Sequence, residues 1–242
     1  MKVWYLDHSA VAVKTEKHLL LFDLAGKALS GQPGEGLAEG CVNPDEIKDE
    51  DVLVFVSHEH KDHFDPAIFS LREKLSRVRF VLPEELDEVY QADLFVSAEE
   101  EQCKHYALPD CRITTFASTD IGVAYLLETD GLRIYHAGDL NWWHWEGEDP
   151  AWNRNMEVDF KRFSEPLRGR RIDLAMLPLD PRLGADGFRG PRSFLELADI
   201  RRFLPMHQWG DFAFTEQFLA ACPQFRDRTV PVVRQGQQFT WE

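Results

Sequence analysis

The chain has 242 residues, 44% hydrophobic and 29% charged, with 27 basic and 42 acidic side chains giving a net charge of −15. That length can bury one large core and suits a single α/β domain spanning residues 1–242, while the acid excess opposes a nucleic-acid partner, which needs lysine and arginine against its phosphates. No apolar run approaches the roughly 18 residues of a membrane span, and the start, Met1-Lys2-Val3-Trp4-Tyr5, lacks a signal-peptide core, so no membrane partner and a cytoplasmic location are expected.

Residues 3–7, 10–14 and 18–23 read as short strands, the third ending on Asp23. His8 lies between the first two. Residues 25–50 are rich in breakers (Gly26, Gly31, Gly34, Gly36, Gly40) and read either as a flap over a site or as a surface loop. Next come five unbroken apolar residues, Val52 to Val56, which suit a strand buried on both faces. That strand releases His58, His60, Asp62 and His63 within six positions. Extended backbone sends residues i and i+2 to one side, so His58 and His60 can converge. A helix starting near Lys61 would set Asp62 and His63 on its first turn. Imidazole and carboxylate donors suit zinc, and also manganese or iron. A polar loop between strand and helix is the plain alternative, but three of the chain's nine histidines fall in these six residues.

Beyond the histidines, a helix is expected over 66–76, strands at 78–82 and 93–97, and an acidic helical piece over 83–91 between them. Strands follow at 112–116, 122–129 and 132–136. The hairpin over 122–136 leads to Asp139 much as the hairpin over 10–23 leads to Asp23, a weak internal echo that suggests two similar half-sheets. Directly after Asp139, three of the seven tryptophans (Trp142, Trp143, Trp145) surround His144. Such a cluster is either core or the apolar wall of a pocket, and His144 could ligate a metal or donate a proton. An amphipathic helix over 152–163 carries Trp152, Met156, Phe160 and Phe163. A strand over 173–177 leads to Asp180, a helix spans 191–203, and a brief strand over 204–206 presents His207. A helix over 215–221 and strands at 229–233 and 238–241 close the chain. The four cysteines have no Cys-x-x-Cys spacing and read as free thiols. The basic run Arg168-Gly169-Arg170-Arg171 reads as surface charge.

His58-Glu59-His60-Lys61-Asp62-His63 fits the pattern His-x-His-x-Asp-His of the metallo-β-lactamase superfamily, which the chain resembles over nearly its whole length. The opening Asp7-His8-Ser9 looks like the start of the branch of ascorbate-6-phosphate lactonase-like proteins, with Asp7 in place of glycine. The resemblance implies a four-layer αββα sandwich of two mixed sheets flanked by helices. It also implies one or two divalent ions, most often zinc. His58 and His60 would begin one metal site, Asp62, His63 and His207 would form the other, and Asp139 would bridge them. Asp62 would further orient a metal-bound hydroxide that hydrolyses a small ester, lactone, amide or phosphoester.

The chain departs from the pattern at residues 115–122, where the family's further histidine is absent. Asp120, His136 and His144 are the residues that could fill that position. Two other readings stay open, a metal-binding or sensing relative without turnover and a nuclease or redox enzyme of the same superfamily.

Overall fold

Apolar runs broken by turn residues build two large sheets, of seven and six strands, and a small two-stranded one. The computed structural model describes residues 1–241 except Pro33, Glu88 and Glu101. It divides into two compact units, Met1–Val96 with Val233–Glu242, and Ser97–Val232. The first unit holds β1 (Lys2–Asp7), β2 (Ala10–Lys14), β3 (His18–Phe22), β4 (Asp51–Phe55), β5 (Val78–Pro83) and β6 (Leu94–Val96). The second holds β7 (Lys104–Leu108), β8 (Cys111–Ala117), β9 (Val123–Thr129), β10 (Leu132–His136), β11 (Arg171–Ile172), β12 (Leu174–Pro178), β13 (Asp199–Ile200) and β14 (Phe203–Met206). β15 (Gln237–Thr240) then joins the first sheet, in the order β15-β1-β2-β3-β4-β5-β6. The second sheet runs β14-β12-β10-β9-β8-β7.

Both large sheets are mixed, and in the same way. In the first, β1, β2 and β3 pair antiparallel, and β3, β4, β5 and β6 pair parallel. In the second, β7 to β10 pair antiparallel, and β10, β12 and β14 pair parallel. The internal echo between the two hairpins is therefore an echo of whole sheets. β3 and β12 are buried at every residue and β4 at all but its first, as expected for parallel strands covered on both faces.

Several elements differ from expectation for local reasons. Where one helix was expected over 66–76, Asp65 caps the Ala67 amide and Pro66 opens a 3₁₀ turn, with the α-helix α1 confined to Leu71–Lys74. The acidic piece over 83–91 forms a 3₁₀ turn at Glu84–Leu86, and Glu88 lies outside the described residues. β7 escaped prediction because it is an edge strand whose residues are only half-buried or exposed, so no apolar run marks it. α2 (Pro150–Ser164) matches expectation, whereas α3 (Arg189–Leu197) stops early and the chain continues into β13. α4 (Phe214–Ala221) is as expected, but 229–233 forms no strand beyond one bridge between Thr229 and Phe203.

The segment over 25–50 is neither loose nor polar throughout. Ala28, Leu37, Val42 and Ile47 sit in the first unit's core, and Val42 donates to Ala28 O at 2.8 Å. Gly40 is needed there: its φ is +90°, and a Cβ would lie 2.6 Å from Leu6 O. All four cysteines are free thiols. Arg168 pairs with exposed Glu165, whereas Arg171 pairs with the buried carboxylate of Asp173. Among the described residues no helix is long and apolar enough to cross a membrane.

Candidate metal centre

Ligands of open α/β sheets gather outside the carboxyl ends of parallel strands, where strand direction switches. In the first unit, β3 delivers Asp23 and β4 delivers the histidine motif to that edge. Asp23 adopts left-handed backbone (φ +45°) with its amide donating to Phe55 O at 2.9 Å. Its carboxylate then accepts from Ser57 N at 2.7 Å, from Ser57 Oγ at 2.6 Å and from His63 Nδ1 at 2.7 Å. Ser57 Oγ lies 2.9 Å from His58 Nδ1. One buried carboxylate and one hydroxyl therefore hold two ring nitrogens, which directs Nε2 of His58 and His63 outward as donors. The motif is a loop closed by a single turn, with His63 N and Phe64 N both donating to His60 O, rather than the start of a helix.

His58 and His60 meet edge to face, their ring centroids 4.7 Å apart. A second group gathers His8, Asp62 and His63, whose ligand-type atoms lie within 4.8 Å of one another. His8 Nε2 stands 3.3 Å from Asp62 Oδ2. That contact holds the Asp62 carboxyl well below the usual carboxylate range, outweighing the opposing effect of burial. The His8 backbone is itself left-handed (φ +31°) and is pinned by Tyr5 OH donating to His8 O at 3.0 Å and by His8 N donating to Asp7 Oδ1 at 3.0 Å.

The second unit repeats the scheme. β10 leads to Asp139, β12 to Asp180 and β14 to His207, at the carboxyl ends of three adjacent parallel strands. His207 Nδ1 donates to Asp180 Oδ2 at 2.9 Å, and His207 Nε2 faces Asp139 Oδ1 at 3.6 Å. Donors bonded to one tetrahedral zinc at about 2.0–2.2 Å stand roughly 3.3–3.6 Å apart, so this pair fits a shared ion. Burial would raise the Asp180 pKa, but His207 and Arg182, which donates to it through Nε and Nη2, bring it down to about 2. Trp143 Nε1 donates to Asp139 O at 3.0 Å and fixes the turn carrying that aspartate.

No protein-family model matches the chain. A UPF0173 metal-dependent hydrolase of Bacillus velezensis is 29% identical over 237 residues, covering 90% of this chain and 89% of that protein. A metallo hydrolase of the archaeon Ignicoccus hospitalis superposes with a TM-score of 0.62 at 18% identity, covering 100% of this chain and 99% of that one. A metallo-β-lactamase fold protein of Bacillus subtilis superposes with a TM-score of 0.57 at 13% identity, covering 98% of each chain. The chain has the metallo-β-lactamase fold, its relatives over most of its length are metal-dependent hydrolases, and it is an enzyme.

Within this metallo-β-lactamase-fold enzyme, the three residues that could fill the absent histidine's position fare differently. Asp120 is exposed, and its carboxylate comes within 4.8 Å of that of Asp139. Thr119 supports the turn between them, its Oγ1 donating to Asn141 O at 2.7 Å and, more weakly, to Asp139 O at 3.3 Å. His136 stays inside β10, fully buried, with Nδ1 accepting the Gly138 amide at 3.1 Å. His144 sits half-buried in the tryptophan loop.

Among the described residues, four of the six non-glycine residues with positive φ are His8, Asp23, His207 and Trp209; the other two are the turn residues Asp110 and Asp130. Such backbone costs on the order of 1–3 kcal/mol per residue and persists where surroundings enforce it, commonly at functional sites. Sequence reasoning passed over Ser57 and Arg182. Ser57 had a signal, as the first polar residue after a buried apolar run, whereas nothing local marked Arg182.

Proposed function

We propose that this metal-dependent hydrolase acts on small esters, lactones, amides or phosphoesters, with zinc as its resident ion in one or two sites. The proposed ligands are His58, His60, Asp62, His63, Asp139 and His207, with Asp120 in the position of the absent histidine. The observation that carries this reading is the backing of His63 and His207, each held at Nδ1 by a buried carboxylate, Asp23 and Asp180. That is how ligand histidines are held to one tautomer and orientation.

A divalent ion so held lowers the pKa of a bound water toward neutrality and polarises a carbonyl or phosphoryl oxygen. The rest falls to side chains. Asp62, kept ionised by His8, orients the attacking water, whose proton leaves to solvent. His144 supplies the proton to the leaving group.

Elemental analysis of protein purified without added metal or chelator tests the assignment, alongside His60→Ala and Asp139→Ala. Each substitution is expected to remove most of the metal and the turnover of simple esters and bis(p-nitrophenyl) phosphate. If either variant keeps full metal content and activity, the ligand set is wrong.

A further inference from the structure

The second unit contains a pocket of about 200 Å³ that Asp139 helps to line. Its other walls come from Asp120, Arg182, Trp145, Trp152 and Met156, with Trp143 behind Asp139. These walls are held in place. Buried Asn153 of α2 accepts from Trp145 N at 3.0 Å and donates to Trp145 O at 2.9 Å, clipping the tryptophan loop to the helix. The Trp143 and Trp145 rings lie parallel, 7° between planes and 6.3 Å between centroids. Trp152 and Met156 stand one turn apart on α2, so they present a common face. The same helix buries Phe160 and Phe163 but leaves Trp152 39% exposed. Core packing therefore accounts for the end of its apolar stripe and leaves the beginning unexplained.

Arg182 lies over Trp209 at 4.4 Å and over Trp145 at 5.4 Å from the ring centroids. Its Nε and Nη2 are committed to Asp180, while Nη1 makes no hydrogen bond among the described residues. The guanidinium therefore retains donors for an acceptor arriving in the pocket. Charge gives an anion little purchase on Arg182, whose guanidinium is already neutralised by Asp180. The pocket has room for a single ring, since a cavity of about 150 Å³ admits benzene. Indole faces favour a flat aromatic partner over a puckered aliphatic one.

We propose that this pocket selects a planar, uncharged, single-ring substrate whose ring packs on Trp145 and Trp152 and whose carbonyl-type acceptor takes Arg182 Nη1. The inference rests on the hydrolase reading for the word substrate, but ring preference is a binding property and is measured without turnover.

Isothermal titration calorimetry of the protein as purified, with benzamide and with cyclohexanecarboxamide, tests it. The two probes share one acceptor and differ in the flatness of the ring. Benzamide is expected to bind about fivefold to tenfold tighter, the worth of one aromatic pair. Trp152→Leu, at an exposed position that leaves the core intact, should erase that preference with metal content unchanged, and Trp145→Leu should do the same. Equal dissociation constants, no binding of either compound at millimolar concentration, or a preference that survives both substitutions overturns the proposal. Ring preference without any ester or phosphoester turnover would instead sink the hydrolase reading and leave the ring site standing.

Discussion

A histidine makes a directed ligand when its second ring nitrogen is held, and here the holding groups are buried carboxylates. Asp23 grips His63 and Asp180 grips His207, at 2.7 and 2.9 Å. Replacing either by asparagine puts a neutral amide where a charge-assisted bond stood, so ring orientation and basicity both suffer. Asp23→Asn and Asp180→Asn should each weaken zinc binding by about 10- to 100-fold, read by competition with a chromophoric chelator. Unchanged affinity in both would show that the histidines need no backing. Asp120→Asn tests the substituted ligand in the same assay and should lower the number or affinity of bound ions, with Asp120→His restoring them. The thiols are a contrasting case. Burial pushes the pKa of Cys41, Cys103 and Cys222 upward, so at neutral pH each has less thiolate than free cysteine. Native protein should accordingly resist alkylation at pH 7, whereas protein unfolded in guanidinium should titrate all four cysteines.

α2 shows how one element serves two ends. Asp149 caps it by accepting Ala151 N, and Pro150 occupies the first helical position, where its missing amide costs nothing. Phe160 and Phe163 anchor one end in the second unit's core, and Asn153 clips the tryptophan loop near the other. Asp149→Ala should cost about 1 kcal/mol and lower the melting temperature by roughly 2–4 °C in a chain of this size. A drop much larger than that would mean the cap also organises the loop. This helix was readable from its periodicity, as were the strands β1 to β5, because the apolar pattern in each agrees with what the fold buries. β7 was not, since an edge strand leaves its residues half in solvent and carries no unbroken apolar run. The helix expected to reach 203 stops at Leu197 because Asp199 and Ile200 pair with Arg171 and Ile172, a partner that no local window contains.

Each large sheet places its chemistry-bearing residues where antiparallel pairing gives way to parallel pairing, so metal affinity and fold stability are coupled. An ion that binds only the folded protein at about 100 times its dissociation constant adds about 2.7 kcal/mol. Stripping it with a chelator should lower the melting temperature by roughly 5–10 °C, restored by zinc and followed by scanning calorimetry. An identical midpoint with and without chelator would count against a resident ion. The location of the donors was legible in the chain: a five-residue apolar run followed by His58, His60, Asp62 and His63, and short strands ahead of Asp139 and His207. Strand formation and ligand spacing are local properties, written within a few residues of each other. What holds those donors is not local. Asp23 reaches His63 across 40 residues and Asp180 reaches His207 across 27. The left-handed residue Asp23 donates its amide to Phe55 O on the neighbouring strand, far along the chain. The approach of Asp120 to Asp139, and the assembly of Arg182 with Trp145 and Trp209, likewise depend on which chain segments the sheet brings side by side, and no spacing along the sequence encodes that.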